Sequence, residues 1–209
     1  MKFDELNQLK RFFSGMRISE DEQKKRVAFA DLIYDAFFYA FTMMKIEIDI
    51  EERVAKEKDI TPKQFADIVE SYRETLENRI YDAFEGADLP HDDDYVSRLI
   101  DEVLDTTKKH PDEEFYLSAD RAVLIGQNAA NALYNAYNHE EAKKAGAKHK
   151  IWQSEGDERV RLNHAMIDGA MIPIDEYFIV GGEQMLFPCD GTFASPDNIL
   201  NCRCTCLYI

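Results

Sequence analysis

The feature that most constrains the fold is a long run of apolar residues at helical spacing near the amino terminus. Between Val27 and Met44 these residues recur at intervals of three and four, which places them on one face of a helix. Ser19 followed by Glu22 forms a capping-box pattern just upstream of the run. The pattern predicts one long amphipathic helix from about residue 19 to about residue 56.

Three further helices are predicted before residue 147. Thr61 and Ser118 can cap two of them, and the acidic residues Asp92 to Asp94 are placed to open the third. The apolar stripe after Thr61 continues to Gly86, and the last helix ends at Gly146. Small residues in this last helix indicate close helix packing. One flank of it is polar and carries four asparagines: Asn128, Asn131, Asn135 and Asn138.

After Gly146 the character of the sequence changes. Short apolar stretches at residues 172–174, 177–180 and 185–188 are separated by glycine-containing turn signals. This pattern predicts two or three short strands in a loop-rich module. The sequence therefore predicts an α+β protein, with a region of about four helices over residues 1–146 and a small turn-rich module over residues 147–209.

The charge of the chain argues against a nucleic-acid-binding protein. The formal net charge is −16, and most of it lies before residue 141. An acidic surface repels nucleic acid at long range, so DNA contact would require a local basic patch. Lysines near a helix end also complement its dipole, which is the simpler interpretation. DNA contact stays open but is not favoured. The candidate patch consists of Lys143, Lys144, Lys148, Lys150, Arg159 and Arg161.

Membrane insertion and export are also not expected. Asp31 and Asp35 interrupt the most apolar stretch, so no uninterrupted apolar run reaches the roughly 18 residues needed to span a bilayer. The amino terminus carries acidic residues where a signal peptide would be apolar. We therefore expect a cytosolic protein with no membrane partner.

All four cysteines lie within the last 21 residues, at positions 189, 202, 204 and 206. A disulfide framework is a poor default for a chain without export signals. Clustered cysteines in such a chain indicate either a metal site or buried reduced thiols. His164 together with two or three of the cysteines could hold Zn²⁺ tetrahedrally.

The polar residues near these cysteines allow a structural and a catalytic interpretation. The Asp157-x-Arg159 pair could brace the loops through bidentate hydrogen bonds. Alternatively, Asp157, His164 and Asp168 could form an acid–base cluster, or His164 could activate Cys202 as a nucleophile. Satisfying buried polar groups is the commoner role of such residues in a turn-rich module, so we favour the structural interpretation.

The order of these residues resembles a known family. The run W-x-x-x-x-D-x-R-V-R-x-x-H-x-x-x-D-G and the terminal N-C-R-C look like the phage head morphogenesis family of Mu F-like minor head proteins. The resemblance covers roughly residues 118–206. The residues that carry it are Trp152, Asp157, Arg159, Arg161, His164, Asp168, Gly169, Asn201, Cys202, Arg203 and Cys204.

This resemblance implies a structural role rather than an enzyme. It implies a minor capsid protein of the virion, made in the host cytoplasm and associated with the portal and other head components during head assembly and genome packaging or ejection. The alternative is a phage-derived hydrolase or toxin, nuclease-like or protease-like, that uses Asp157, His164 and Cys202.

The resemblance also implies a zinc site, from which this sequence departs. Many family members carry a Cys-Pro-x-Cys and a further His and Cys that read as four zinc ligands. Here those positions are Arg161, His164, Ile199 and Cys202, so only two keep ligand-capable atoms. A metal-free variant is the alternative. If zinc is bound, the candidate ligands are His164, Cys189, Cys202, Cys204 and Cys206.

Overall fold

The computed structural model describes residues 3–55 and 60–209, with the side chains of Phe3 and Ala55 excepted. The chain forms two compact units. The first unit comprises residues 1–6 and 28–126, and the second comprises residues 7–27 and 127–209. The predicted division of the chain into residues 1–146 and 147–209 stays a prediction.

The helical region contains six α-helices where the sequence predicted about four. A 3₁₀ turn, Glu114–Leu117, precedes the last of them. The helices are α1 (Phe3–Phe13), α2 (Glu20–Ala55), α3 (Pro62–Ser71), α4 (Arg73–Gly86), α5 (Asp93–Lys108) and α6 (Ala119–Lys144).

The predicted helix starts are confirmed by their capping bonds. The N–H of Glu22 donates to Ser19 Oγ over 3.1 Å, and the N–H of Tyr95 donates to Asp92 Oδ1 over 2.9 Å. Thr61 makes the full capping box ahead of α3. The predicted end of α2 at Lys56 lies outside the described residues.

One predicted helix is in fact two. The apolar stripe from Thr61 to Gly86 continues in register, but the helix is interrupted at Tyr72, where φ is −90° and ψ is 3°. The hydroxyl of Ser71 donates to the carbonyl of Ile68, and the Tyr72 hydroxyl donates to Glu47 Oε2 on α2. The bond from Ser71 competes with the helical ladder, and the bond from Tyr72 is a tertiary contact that accompanies the break.

The core of the first unit forms on the apolar face of α2. Phe29 of α2 meets Phe84 of α4 edge to face, with 5.3 Å between the ring centroids. A Cβ atom on Gly126 would lie only 2.5 Å from the Ala30 carbonyl oxygen, so the backbones of α2 and α6 touch there. The predicted close packing of the last helix is therefore confirmed.

A buried arginine of α6 contacts the last turns of α5. Arg121 is 7% exposed and donates to the carbonyls of Val103 and Tyr116 and to the hydroxyl of Thr107. Burial lowers the pKa of Arg121 to about 10. The guanidinium thus joins the last turns of α5 to the 3₁₀ turn through the carbonyls of Val103 and Tyr116.

By length and composition alone, α2 would suffice to cross a bilayer, with a mean hydropathy of 1.4 in its most apolar window. Asp31 and Asp35 lie within this apolar stretch. Of that window, 56% is buried inside the protein, which is typical of the core helix of a globular domain.

The second unit contains two small antiparallel sheets, where the sequence predicted two or three strands. Its strands are β1 (His149–Gln153), β2 (Met171–Pro173), β3 (Phe178–Val180), β4 (Glu183–Met185) and β5 (Thr205–Tyr208). The strand orders in the two sheets are β2-β1-β5 and β3-β4. Two short helices connect them, α7 (Leu162–Met166) and α8 (Pro196–Ile199). The predicted α+β class is confirmed.

Candidate functional site

The candidate site is a buried cluster of one histidine and two cysteines, which we call the cysteine–histidine cluster. His164 lies on α7, and Cys202 and Cys204 precede β5. His164 Nδ1 lies 3.5 Å from Cys202 Sγ and 3.4 Å from Cys204 Sγ. The three candidate ligand atoms all lie within 4.8 Å of one another.

The ring of His164 is oriented by Asn198. The amide nitrogen of Asn198 donates to the Val180 carbonyl over 2.8 Å and to Glu183 Oε2 over 2.9 Å, which fixes the amide orientation. Its oxygen Oδ1 therefore faces His164 Nε2 at 2.8 Å and accepts from it. In the neutral imidazole the proton is therefore on Nε2, and Nδ1 faces the two sulfur atoms.

The thiols in this region do not ionise alike. Hydrogen bonds from Cys189 and Cys204 lower the pKa of Cys202 well below its usual value. The same pairing and burial raise the pKa of Cys189 and Cys204. Burial alone would lower the pKa of His164, but hydrogen bonding to Cys202 raises it above its usual value. Cys202 is therefore the sulfur that carries negative charge most readily.

Two arginine contacts brace the loops around the cluster. Arg203, which is 6% exposed, donates from Nη2 to both carboxylate oxygens of Asp157 over 2.6 and 2.7 Å. Arg161 donates to the carbonyl of Leu200. The partner of Asp157 is thus Arg203 in the last segment and not Arg159, whose backbone N–H alone donates to Asp157.

The remaining motif residues shape the turns beside the cluster. Trp152 is fully buried and meets His164 and Phe178 edge to face. Asp168 accepts from the N–H of Ser154 over 2.6 Å, and Gly169 has a φ of 79°. These residues support a turn that requires the left-handed backbone region.

The structure does not assemble the predicted acid–base cluster. Asp157 is paired with Arg203, and Asp168 contacts Ser154 and the guanidinium of Arg17. His164 is engaged by Asn198 and the two thiols. Each of the three side chains thus has a separate partner that explains its position.

The predicted basic patch is not a single surface. Lys150 is fully buried, and its ammonium donates to the carbonyls of Ile174 and Leu186 over 2.7 and 2.5 Å. Lys143 pairs with Asp175, and Lys144 pairs with Glu141. Three of the six basic residues that suggested DNA contact are therefore already compensated or inaccessible.

A buried polar network that sequence reasoning missed holds the cluster segment in place. Arg26 at the start of α2 is fully buried and pairs with Glu22 over 2.6 Å. It also donates to the side-chain oxygens of Asn131 and Asn135 on α6. The amide of Asn131 in turn donates to the Cys202 carbonyl over 2.8 Å. Asn131 and Asn135, two of the four asparagines on the polar flank of α6, are therefore interior contacts.

The amide of Asn135 extends this network by donating to the carbonyls of Cys204 and Pro188 over 3.1 and 3.0 Å. One sequence signal could have found it. Arg26 precedes Ala30 by four residues and Ile33 by seven, so it lies on the buried face of α2.

The donor set of the cluster fits a soft, tetrahedral metal such as Zn²⁺. It offers one imidazole nitrogen and two sulfur atoms, which are the ligands zinc prefers. Asn198 Oδ1 already accepts from the His164 ring and orients it, as a neighbouring acceptor usually does for metal-bound histidines. The indole N–H of Trp152 has no conventional acceptor among the described residues, and it lowers the pKa of Cys204 against the other influences. A metal-bound thiolate would accept that N–H.

Of the other two candidate ligands, Cys189 borders the cluster and hydrogen-bonds to Cys202, whereas Cys206 lies outside it. Cys189 Sγ lies 3.3 Å from the amide of Asn131 and 3.8 Å from the carbonyl of Cys202. Burial raises the pKa of Cys206 to about 12, and its neighbours are Lys150 and Tyr208.

Comparison with known proteins identifies one family. The model of the family described as "Phage Mu protein F like protein" matches residues 97–207, which is more than half of the chain. The match begins within α5, upstream of residue 118, where the resemblance was expected to start. No curated protein and no solved structure gives a significant match.

Proposed function

Because the chain belongs to the family of Phage Mu protein F-like proteins, we propose that it is a minor structural component of a tailed-phage or prophage head. In this proposal it acts with the portal and other head components during head assembly and genome packaging or ejection. It is made in the host cytoplasm and ends in the virion.

The observation that carries this proposal is the family match, which covers the whole cysteine–histidine cluster. The side chains in and around the cluster support a structural role, because their polar atoms brace loops to one another. Arg203 fastens Asp157 to the last segment, and Asn131 and Asn135 fasten that segment to α6.

Head association can be tested with matched variants of α2. Lys24 and Arg26 lie two residues apart, but Lys24 has a side chain that is 72% exposed, whereas Arg26 is fully buried. Heads assembled with wild-type or Lys24→Met protein should contain the chain, and co-expressed portal protein should purify with it. Arg26→Met should be depleted from heads, because the second unit is weakened. Mass spectrometry of purified heads measures both outcomes.

Two results would overturn this proposal. One is heads of normal composition and infectivity when the gene is deleted. The other is wild-type protein that never enters heads or binds portal protein.

We further propose that the cysteine–histidine cluster binds one Zn²⁺ ion with a structural role, using His164, Cys202 and Cys204. Protein purified without added zinc should carry about one zinc per chain by elemental analysis. Cys202→Ser should lose most of that zinc. Cys206→Ser is the matched control and should retain it, because Cys206 lies outside the cluster. Equal zinc loss in both variants, or no stoichiometric zinc in the wild type, would refute the site.

We expect no nuclease or protease activity, because Asp157 is paired with Arg203 and the adjacent His164 and Cys202 side chains are both buried. A hydrolysis screen of the wild type and a His164→Ala variant checks this expectation. Turnover by the wild type that disappears in the variant would favour the hydrolase alternative.

A further inference from the structure

We infer that the last turns of α2 form a docking helix, which inserts an apolar ridge into a groove of a partner protein that is flanked by lysine or arginine. We call residues 45–54 the α2 extension, and we call Ile46, Ile50 and Val54 its ridge. The inference rests on the proposed function, because it names the surface by which the chain would join another head component.

The α2 extension lies beyond the core that covers the rest of the helix. Buried residues recur along α2 as far as Met44, but none of residues 45–54 is buried. At a rise of about 1.5 Å per residue, the extension is roughly 15 Å long, or nearly three helical turns. The core of the first unit therefore does not account for the apolar side chains that the extension carries.

These apolar side chains form one continuous ridge. Ile46, Ile50 and Val54 are 46%, 51% and 72% exposed, and they follow one another at intervals of four residues. Residues four apart are neighbours on the same side of a helix, so the three side chains line up. Half-buried Met43 precedes Ile46 by three residues. Together they have the i, i+3, i+7 spacing of helices that dock into apolar grooves.

The charges beside the ridge are mostly negative. The α2 extension includes four acidic residues and two basic ones. Within the described ranges, residues 3–55 and 60–209, no cation lies at ion-pair distance from Asp49, Glu51 or Glu52. Their carboxylates are therefore free to pair with cations on a partner.

The charge of the whole first unit has the same sign. This unit holds 27 acidic and 12 basic residues, a formal net charge of −15, whereas the second unit holds 14 acidic and 13 basic residues. Such a surface attracts a basic partner and repels nucleic acid, anionic lipid and a second copy of the same unit. Charge complementarity therefore selects a protein groove flanked by lysine or arginine as the surface that covers the ridge.

Photocrosslinking in assembled heads tests the docking helix. A photoreactive phenylalanine analogue is placed at position 50, and in a matched control at position 179 of β3, where Ile179 is 56% exposed. Position 50 should crosslink to a segment of another head protein that is rich in lysine or arginine, identified by mass spectrometry. Position 179 should give no crosslink to that segment.

Substitutions supply a second measurement. Ile46→Ser combined with Ile50→Ser should reduce incorporation into heads by at least about tenfold, because burial of both side chains against the partner is lost. Ile179→Ser should leave incorporation unchanged. The substituted side chains are exposed, so each variant should unfold in urea at the wild-type midpoint, which separates lost docking from lost folding.

Salt provides a test of the sign of the partner's charge. Binding of the wild type to the crosslinked head protein should weaken as salt rises, because salt screens attraction between opposite charges. Association between two copies of the acidic unit would instead strengthen, since salt screens their repulsion. Binding that strengthens with salt would therefore overturn the basic partner.

The outcomes separate this inference from the proposed function. Heads that contain the wild type but give no crosslink at position 50 overturn the docking helix alone. Crosslinks to an acidic segment, to a second copy of this chain, to DNA or to lipid also overturn it, as does equal incorporation of the double variant and the wild type. A wild-type chain that never enters heads refutes the proposed function and this inference with it.

Discussion

Replacing Arg26 with methionine should destabilise the second unit by about 3–5 kcal/mol, the usual cost of breaking a buried ion pair by removing one partner. The guanidinium is fully buried and donates to Glu22, Asn131 and Asn135. Methionine retains much of the aliphatic packing but none of these bonds. It would leave two buried amide oxygens without donors, each at a cost of about 1–3 kcal/mol. Glu22 keeps the bond from Asn138, which limits the loss on that side.

Urea unfolding followed by tryptophan fluorescence measures this loss. Trp152 is the only tryptophan and is fully buried in the second unit, so its emission reports that unit. For a slope of about 1–3 kcal/mol per molar urea, the midpoint should fall by at least about 1 M. Lys24→Met is the control and should leave the urea midpoint nearly unchanged, because its pair with Glu20 is exposed.

A loss below about 1 kcal/mol for Arg26→Met, comparable to the control, would refute the reasoning. It would mean that the network formed by Arg26 and the asparagines is no better than hydration of the same groups in the unfolded chain.

Three further predictions concern other residues. Gly126→Ala should destabilise the first unit by about 1–3 kcal/mol, the usual cost of overpacking, because the added Cβ would press on the Ala30 carbonyl. This cost should exceed the gain in helix propensity. Urea unfolding followed by circular dichroism measures the change, and a more stable variant would contradict the prediction. Arg121→Met should cost about 2–4 kcal/mol in the same assay by removing the buried charged donor to the carbonyls of Val103 and Tyr116, whereas the exposed Arg98→Met should cost little. Burial lowers the pKa of His139 to about 4, so the unfolded state gains a proton below about pH 6.5 that the folded state resists. Stability of the second unit should therefore fall as pH drops from about 6.5 to 4, and His139→Leu should flatten that slope in tryptophan-detected unfolding; parallel slopes would contradict it.

Local features of the fold could be predicted because they depend on neighbouring residues. Helix starts at Ser19, Thr61, Asp92 and Ser118 follow from side chains that satisfy the first-turn N–H groups, and the sequence displays them directly. The break at Tyr72 could not be predicted in this way, since the apolar stripe continues through it. The bond from Tyr72 to Glu47 that accompanies the break joins residues far apart in sequence.

The candidate site was predictable in its membership but not in its pairings. The motif indicated that Asp157, His164 and Cys202 belong together, yet the bidentate partner of Asp157 is Arg203 and not Arg159. Strands β1 and β5 were missed because β1 turns a lysine inward, where alternation would call for an apolar residue. Lys150 is tolerated there because two carbonyl groups accept from its ammonium.

The composition of the second unit has a consequence for biosynthesis. Residues 7–27 are translated before residues 28–126, but their partners in this unit are residues 127–209, which are translated after them. Leu9, Phe12 and Phe13 are buried in the finished protein and must therefore stay exposed until those later residues have left the ribosome. The second unit can be completed only when β5 has been released and can pair with β1. Incomplete translation products would therefore lack a finished second unit.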